Sequence, residues 1–251
     1  MNEQEIFDTY SRFIHPIVRA TGPDSGEFVG SGFLLKSDET IKLITAAHVL
    51  DHHDGEFSPL FIPTENGTVR IKGACYSSVV ADGSTRKADK IDIAVITLDQ
   101  DICERLCGVS CLTPEMLDVT NIHDSALPYF VMGYPVKKSN TSIDKEIKVL
   151  EPELYGFLTV EADCEAYEKM SVVRDSHLAL SFDKKKVFSS SGVQRTAPDL
   201  NGLSGSPVWG LVRKSETEVK AMVVAILIEH HQRAIKAVLG TRLSGIPKAI
   251  F

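Results

Sequence analysis

The chain has no apolar run near the roughly 18 residues that a membrane-crossing helix needs, so a spanning role is not expected. Its opening stretch, MNEQEIFDTYSRF, carries charges throughout and has neither the apolar core nor the small-residue cleavage site of a secretory leader. Basic residues are outnumbered, 27 Lys and Arg against 34 Asp and Glu, giving a formal charge of -7. That balance predicts no partnership with nucleic acid or with an anionic membrane. The one basic cluster, three lysines at 184–186, is short enough to read as a solvated loop. Cysteine is scarce and odd in number, and the spacing of Cys75, Cys103, Cys107, Cys111 and Cys164 suits no secreted disulfide framework. Together these absences predict a reducing, cytoplasmic setting. Cys103, Cys107 and Cys111 recur at every fourth residue, as they would along one helical face. No fourth ligand completes a zinc set nearby, so a core-facing thiol stripe is expected rather than a metal site.

What the chain does have is a core-forming share of apolar residues, 43% of 251. Ile6, Phe7, Tyr10, Phe13, Ile14 and Ile17 fall at helical spacing and predict an amphipathic helix over 2–17. Beyond it come short apolar or alternating runs: FVGSGFLL, IKLIT, PLFIP, VRIKGACY and IDIAVITL. Gly, Pro, Asn, Asp and Ser clusters separate them, the pattern of an antiparallel sheet or barrel. Residues 99–128 break the pattern with weak helical character, and strand-like runs then resume, among them YFVMGYP, HLALSF, SPVWGLV, EVKAMVVAILIE and IKAVLGTRL. Two β lobes joined by a connector are therefore expected.

Two polar residues stand in apolar places. His48 interrupts LITAAHVL, and Asp92 interrupts KIDIAVITL, where two-residue periodicity makes both strand faces apolar. A buried carboxylate costs several kcal/mol unless compensated, and a buried imidazole needs its nitrogens bonded. The economical solution pairs them, with Asp92 accepting the Nδ1 proton of His48 and leaving Nε2 free as a base. A third residue could use that base: Ser204, in DLNGLSGSPVWG, is a turn residue on local grounds but a nucleophile if His48 activates it. Gly202 and Gly205 permit a sharp turn in which the N–H groups of Gly202 and Ser204 converge on an oxyanion.

TAAHVL, DIAVITL and GLSGSPV, in that order, resemble the three catalytic boxes of the trypsin-like serine proteases, and GSGFLL (30–35) and GYP (133–135) resemble two further landmarks of the bacterial branch. The order His48, Asp92, Ser204 also excludes an α/β-hydrolase, whose serine comes first and lies in G-x-S-x-G, whereas residue 206 here is Ser206. The resemblance implies an all-β fold of two six-stranded antiparallel barrels, with a short N-terminal helix and a helical connector. The corresponding boundaries are 1–20 for the helix and entry strand, 21–115 for the first barrel and 116–251 for the second. It implies His48 as general base and acid, Asp92 as its orienting carboxylate, Ser204 as nucleophile, and Gly202 and Ser204 as oxyanion donors, with no metal and no organic cofactor. Leu203 stands where the digestive enzymes carry an acid that pairs with a newly cut terminus. Activation by amino-terminal trimming is therefore not expected, and intracellular bacterial relatives share this departure.

The histidine pairs in DHHDG (51–55) and EHHQ (229–232) lack metal-ligand spacing, and HDS (123–125) cannot form a relay between consecutive side chains. The resemblance draws the substrate pocket from about 197–202 and 225–243, with Asp199, Asn201, Glu229 and His230 as candidate lining residues. Asp199 at the pocket base would select Arg or Lys. The expected activity is endopeptidase cleavage of a protein or peptide substrate by acyl transfer, with a regulatory or effector partner protein as a further candidate. The alternative is a protease-fold binding module without turnover.

Overall fold

The computed structural model describes residues 3–22, 25–51, 59–80, 84–122, 127–135, 153–189, 194–195, 200–213, 219–231 and 235–251. Helix α1 (Glu3–Tyr10) is shorter than the periodicity predicts. A 3-10 turn at Ser11–Phe13 follows it, and Ile14 already belongs to strand β1 (Ile14–Gly22). Pro16 accounts for the early stop, because a proline inside a helix removes a hydrogen bond and clashes with the preceding turn.

The first sheet continues through β2 (Ser25–Ser37), β3 (Thr40–Ala46), β4 (Leu60–Thr64), β5 (Gly67–Arg70), β6 (Gly73–Ser77) and β7 (Ile93–Leu98), in spatial order β5-β4-β1-β2-β3-β7-β6. The second comprises β8 (Tyr129–Gly133), β9 (Tyr155–Thr159), β10 (His177–Ser181), β11 (Val187–Ser189), β12 (Gln194–Arg195), β13 (Pro207–Arg213), β14 (Val219–His231) and β15 (Ala237–Arg242). Its order is β10-β15-β14-β13-β8-β9-β11-β12. Every pairing between named strands is antiparallel. The expected two-barrel architecture is present, with seven and eight strands among the described residues where six each were expected. The surplus includes short edge pieces, four residues in β5 and two in β12.

Core packing locks the sheets together. Phe33, Leu35 and Ile44 of the first share one buried cluster with Phe130, Trp209 and Val223 of the second. Phe130 stacks on Trp209 with centroids 5.6 Å apart. Helix α1 precedes the first sheet in sequence yet packs on the second, with Phe7 edge-on to Phe188 and Tyr10 4.7 Å from Trp209. Burying each such side chain is worth about 1.5–3 kcal/mol, so the relative position of the two barrels is fixed by the same apolar surface that folds them.

Among the described residues three shorter helices lie between strands: α2 (Ala47–Leu50), α3 (Gln100–Arg105) and α4 (Cys164–Met170). The cysteine stripe is corrected here. Helix α3 ends at Arg105 and the chain turns through Gly108 at φ 88°, so Cys107 is exposed and Cys103 and Cys111 are half-buried beside a cavity of about 210 Å³. The lysines at 184–186 are exposed in a turn, as expected. His52, His53 and the HDS segment lie outside the described residues, as do the side chains of the EHHQ histidines.

Candidate active site

Helix α2 has only four residues, too few to be stable alone, and it is held at its start by one residue. The N–H of Ala47 donates to the backbone carbonyl of Asp92 at 2.9 Å, and the N–H of His48 donates to Asp92 Oδ1 at 2.9 Å. The other carboxylate oxygen, Oδ2, lies 2.5 Å from His48 Nδ1. The carboxylate thus fixes both the backbone and the ring of His48, and Nδ1–H as donor leaves Nε2 unprotonated in the neutral ring. Asp92 is buried at 6% exposure, whereas the His48 side chain is one-third exposed.

Asp92 itself is not a strand residue, contrary to the alternation argument: β7 begins at Ile93, and Asp92 has a left-handed φ of 45°. Aspartate tolerates this region better than most residues, though at a cost of order 1–2 kcal/mol. Asp89 offsets it locally, its Oδ1 accepting the N–H groups of Ile91 and Asp92, each at 3.0 Å. Burial alone would raise the Asp89 carboxyl, but hydrogen bonds from Ser78, Asp92, Arg86 and Ile91 hold it below the usual carboxylate range. From the second barrel, His177 Nε2 lies 2.7 Å from the Lys90 carbonyl and Thr241 donates to the Ile91 carbonyl at 2.7 Å.

The Ser204 turn is bent by two glycines at positive φ, Gly202 at 97° and Gly205 at 87°. Its N–H groups are used selectively. Leu203 donates to Leu200, Gly205 to Leu227 and Ser206 to Leu203, at 3.0, 2.7 and 2.9 Å. Those of Gly202 and Ser204 have no partner among the described residues. A Cβ on Gly205 would fall 2.0 Å from the Ser31 carbonyl oxygen and 3.0 Å from Ala46 N, so the turn lies directly on the strand end from which α2 departs.

Ser31 is the hub of that contact and the residue that sequence reasoning missed. It is fully buried; its N–H donates to the Ser204 carbonyl at 2.8 Å and its hydroxyl donates to the Gly202 carbonyl at 2.8 Å. The N–H of Tyr134 donates to the same hydroxyl at 3.0 Å, and Thr45 donates to the Ser31 carbonyl at 2.7 Å. The flanking glycines have steric reasons: a Cβ at Gly30 would lie 2.5 Å from Val49 in α2, and one at Gly32 would lie 2.9 Å from the Ile44 carbonyl oxygen. Gly133 is required in the same way, because its Cβ would meet Ser206 Oγ at 2.1 Å and Leu203 at 3.2 Å. The only available signal for Ser31 was its place inside GSGFLL.

The hydroxyl of Ser204 donates a long hydrogen bond of 3.5 Å to the carbonyl of Ile228, where β14 bulges against β15. No hydrogen bond joins it to His48, so the pair His48–Asp92 is formed and the third contact is not. Catalytic hydrogen bonds are often open without substrate and tighten in the complex. Leu203 is 1% exposed in an apolar cluster. Of the pocket candidates, Asn201 is exposed in the turn, Asp199 lies outside the described residues, and Glu229 and His230 pair through their backbones with Leu239 and Val238, their side chains being outside the described set. Among the described residues no grouping of three or more His, Cys, Asp or Glu could hold a metal ion, and no helix is long and apolar enough to cross a membrane.

No family model and no curated protein matches the chain. Solved structures do. The scabies mite inactivated protease paralogue S-I1 superposes with a TM-score of 0.56 at 14% identity, over 93% of this chain and 90% of that one. The structure of GrC superposes with a TM-score of 0.54 at 12% identity, over 93% and 90%. At such identities the likeness is one of fold, and it covers both barrels: the chain has the chymotrypsin-like two-barrel architecture.

Proposed function

We propose that the protein is a serine endopeptidase that hydrolyses peptide bonds through an acyl-enzyme. The observation that carries this reading is the Asp92-bound His48 on a helix whose preceding strand end lies against the Ser204 turn, where the N–H groups of Gly202 and Ser204 have no partner among the described residues. Ser204 Oγ attacks the scissile carbonyl while His48 Nε2 accepts its proton. The tetrahedral oxyanion is held by the N–H groups of Gly202 and Ser204, an interaction worth about 3–4 kcal/mol where a single donor has been removed elsewhere. His48 then returns the proton to the leaving amine, and water repeats the sequence on the acyl-enzyme. Asp92 keeps the tautomer and stabilises the imidazolium.

The substrate is a protein partner cut at few sites, and Asp199, acting as a pocket carboxylate, would select Arg or Lys. Cleavage profiling with a peptide library tests the pocket, and a preference for small, apolar or acidic P1 residues rules Asp199 out. GSGFLL, GYP and the buried Leu203 favour the intracellular bacterial branch of the trypsin-like family, in which no terminal ammonium completes the site. The five unpaired thiols fit a reducing, cytoplasmic compartment. Hydrolysis of unfolded protein substrates by the wild type, abolished in Ser204→Ala, is the expected result; equal hydrolysis by both overturns the assignment.

A second reading, a binding module without turnover, draws on the Ser204 hydroxyl being turned to Ile228 rather than to His48. The scabies mite inactivated protease paralogue S-I1 has the same fold. Retained affinity for a protein partner in Ser204→Ala, with no cleavage by the wild type, is the outcome that favours it.

A further inference from the structure

We infer that Arg86 is a positioning residue, tying the carrier of His48 to the carrier of Asp92 so that the two side chains meet in one geometry. The inference rests on the hydrolase reading of the site, but the contacts behind it do not involve Ser204. Arg86 Nε donates to Asp51 Oδ2 at 3.1 Å, and Asp51 is the residue that caps the C-terminus of α2, its own N–H bonded to the His48 carbonyl. Arg86 Nη1 donates to Asp89 Oδ2 at 2.9 Å and to the Ser78 carbonyl at 2.8 Å. Asp89 in turn holds the N–H of Asp92, Ser78 Oγ donates to the Asp89 carboxylate, and the N–H of Ile93 donates to Ser78 Oγ at 3.0 Å. One guanidinium therefore spans the end of the His48 helix and the loop of Asp92.

The two arms differ in environment. The Asp89 carboxylate is 4% exposed, so its pairing with Arg86 is shielded, whereas Asp51 is 47% exposed and its pair is open to solvent. A planar fork reaches both carboxylates and a carbonyl at once, which a lysine ammonium on a single stem does not. Helix α2 gains from this because it is a single turn, anchored at its start by Asp92 and at its end by Asp51. Without the second anchor the helix can pivot about the first, and misplacement on the scale of 1 Å is enough to cost about a hundredfold in rate.

The test combines kinetics with a readout that does not depend on turnover. In Arg86→Gln, kcat is expected to fall about ten- to a hundredfold with KM unchanged, and Arg86→Lys is expected to recover part of it. By NMR, the His48 Nδ1–H resonance is expected to broaden and the amides of Ala47, His48 and Asp92 to exchange faster, while amides of the core strand β3 keep their protection. Should Arg86→Gln fail to fold, Asp51→Ala removes the helix-side arm alone, keeps the backbone cap, and is expected to give the same local signature. Unchanged kcat, Nδ1–H signal and amide exchange in a folded variant overturn the inference, as does a uniform loss of protection across β3. Absence of hydrolysis by the wild type would count against the hydrolase reading, while the resonance and exchange measurements would still decide the role of Arg86.

Discussion

Nδ1 of His48 lies 2.5 Å from Asp92 Oδ2 while the backbone N–H of the same histidine donates to Oδ1, so one carboxylate governs ring and main chain together. Asp92→Asn keeps an acceptor for the backbone bond but presents an amide that can favour the wrong ring tautomer. Under the proposed mechanism, the expected outcome is a folded protein whose kcat falls by about 10⁴. Circular dichroism checks the fold and peptide hydrolysis the rate; an unchanged rate contradicts the role given to Asp92.

Ser31 ties the first half of the chain to the second by side-chain hydrogen bonds with Gly202 and Tyr134. Ser31→Ala leaves the Gly202 carbonyl and the Tyr134 N–H without their partner in a buried site. Denaturant unfolding is expected to report a loss of about 1–3 kcal/mol, and the hydrolytic rate should fall because the Ser204 turn is loosened. A stability equal to that of the wild type contradicts this account.

Two glycines at nearly equal φ separate backbone strain from steric conflict. Gly108 at 88° has no atom within 4 Å of a built Cβ, whereas Gly205 at 87° has the Ser31 carbonyl oxygen at 2.0 Å. Gly108→Ala is expected to cost about 1–2 kcal/mol from the left-handed backbone alone. Gly205→Ala should cost more than about 4 kcal/mol or prevent folding. Thermal unfolding of the two variants compares them directly, and equal losses would contradict the close approach.

His15 in β1 is buried with Nε2 3.0 Å from the Ser110 carbonyl, and burial pushes its pKa down from 6.5 to about 4. The fold therefore favours the neutral ring, while the unfolded chain takes up a proton first. Stability from this residue is complete above pH 6.5, falls as the pH drops from 6.5 towards 4, and is flat below that. At about 1.4 kcal/mol for each pH unit, the loss is at most about 3–4 kcal/mol. His15→Gln keeps an N–H donor and does not titrate, so its stability relative to the wild type should improve between pH 7 and pH 4.5. A constant difference between the two proteins across that range contradicts the assignment.

Much of this was legible in the sequence because it was carried by contrast. His48 and Asp92 were polar letters in apolar runs, and desolvation made them each other's natural partner. The strands of both sheets announced themselves by apolar runs between turn residues. Alternation alone misled at Asp92, since a left-handed residue at a strand's edge carries no period-two signature. It misled again at Cys107, where the fourfold spacing outlasts the helix. Ser31, Asp89 and Arg86 were hidden for a different reason: small or charged residues in ordinary polar settings gain meaning only through partners that the fold brings to them, as Gly202 is brought to Ser31 and Asp51 to Arg86.

The proposed function depends above all on Ser204 being a nucleophile activated by His48. Treating the folded protein with a fluorophosphonate and mapping the adduct by peptide mass spectrometry tests it most directly. A single phosphonylated peptide carrying Ser204 is expected, its formation lost in Ser204→Ala and strongly slowed in His48→Ala. No adduct on the folded wild type, or the same adduct rate in His48→Ala, would contradict it.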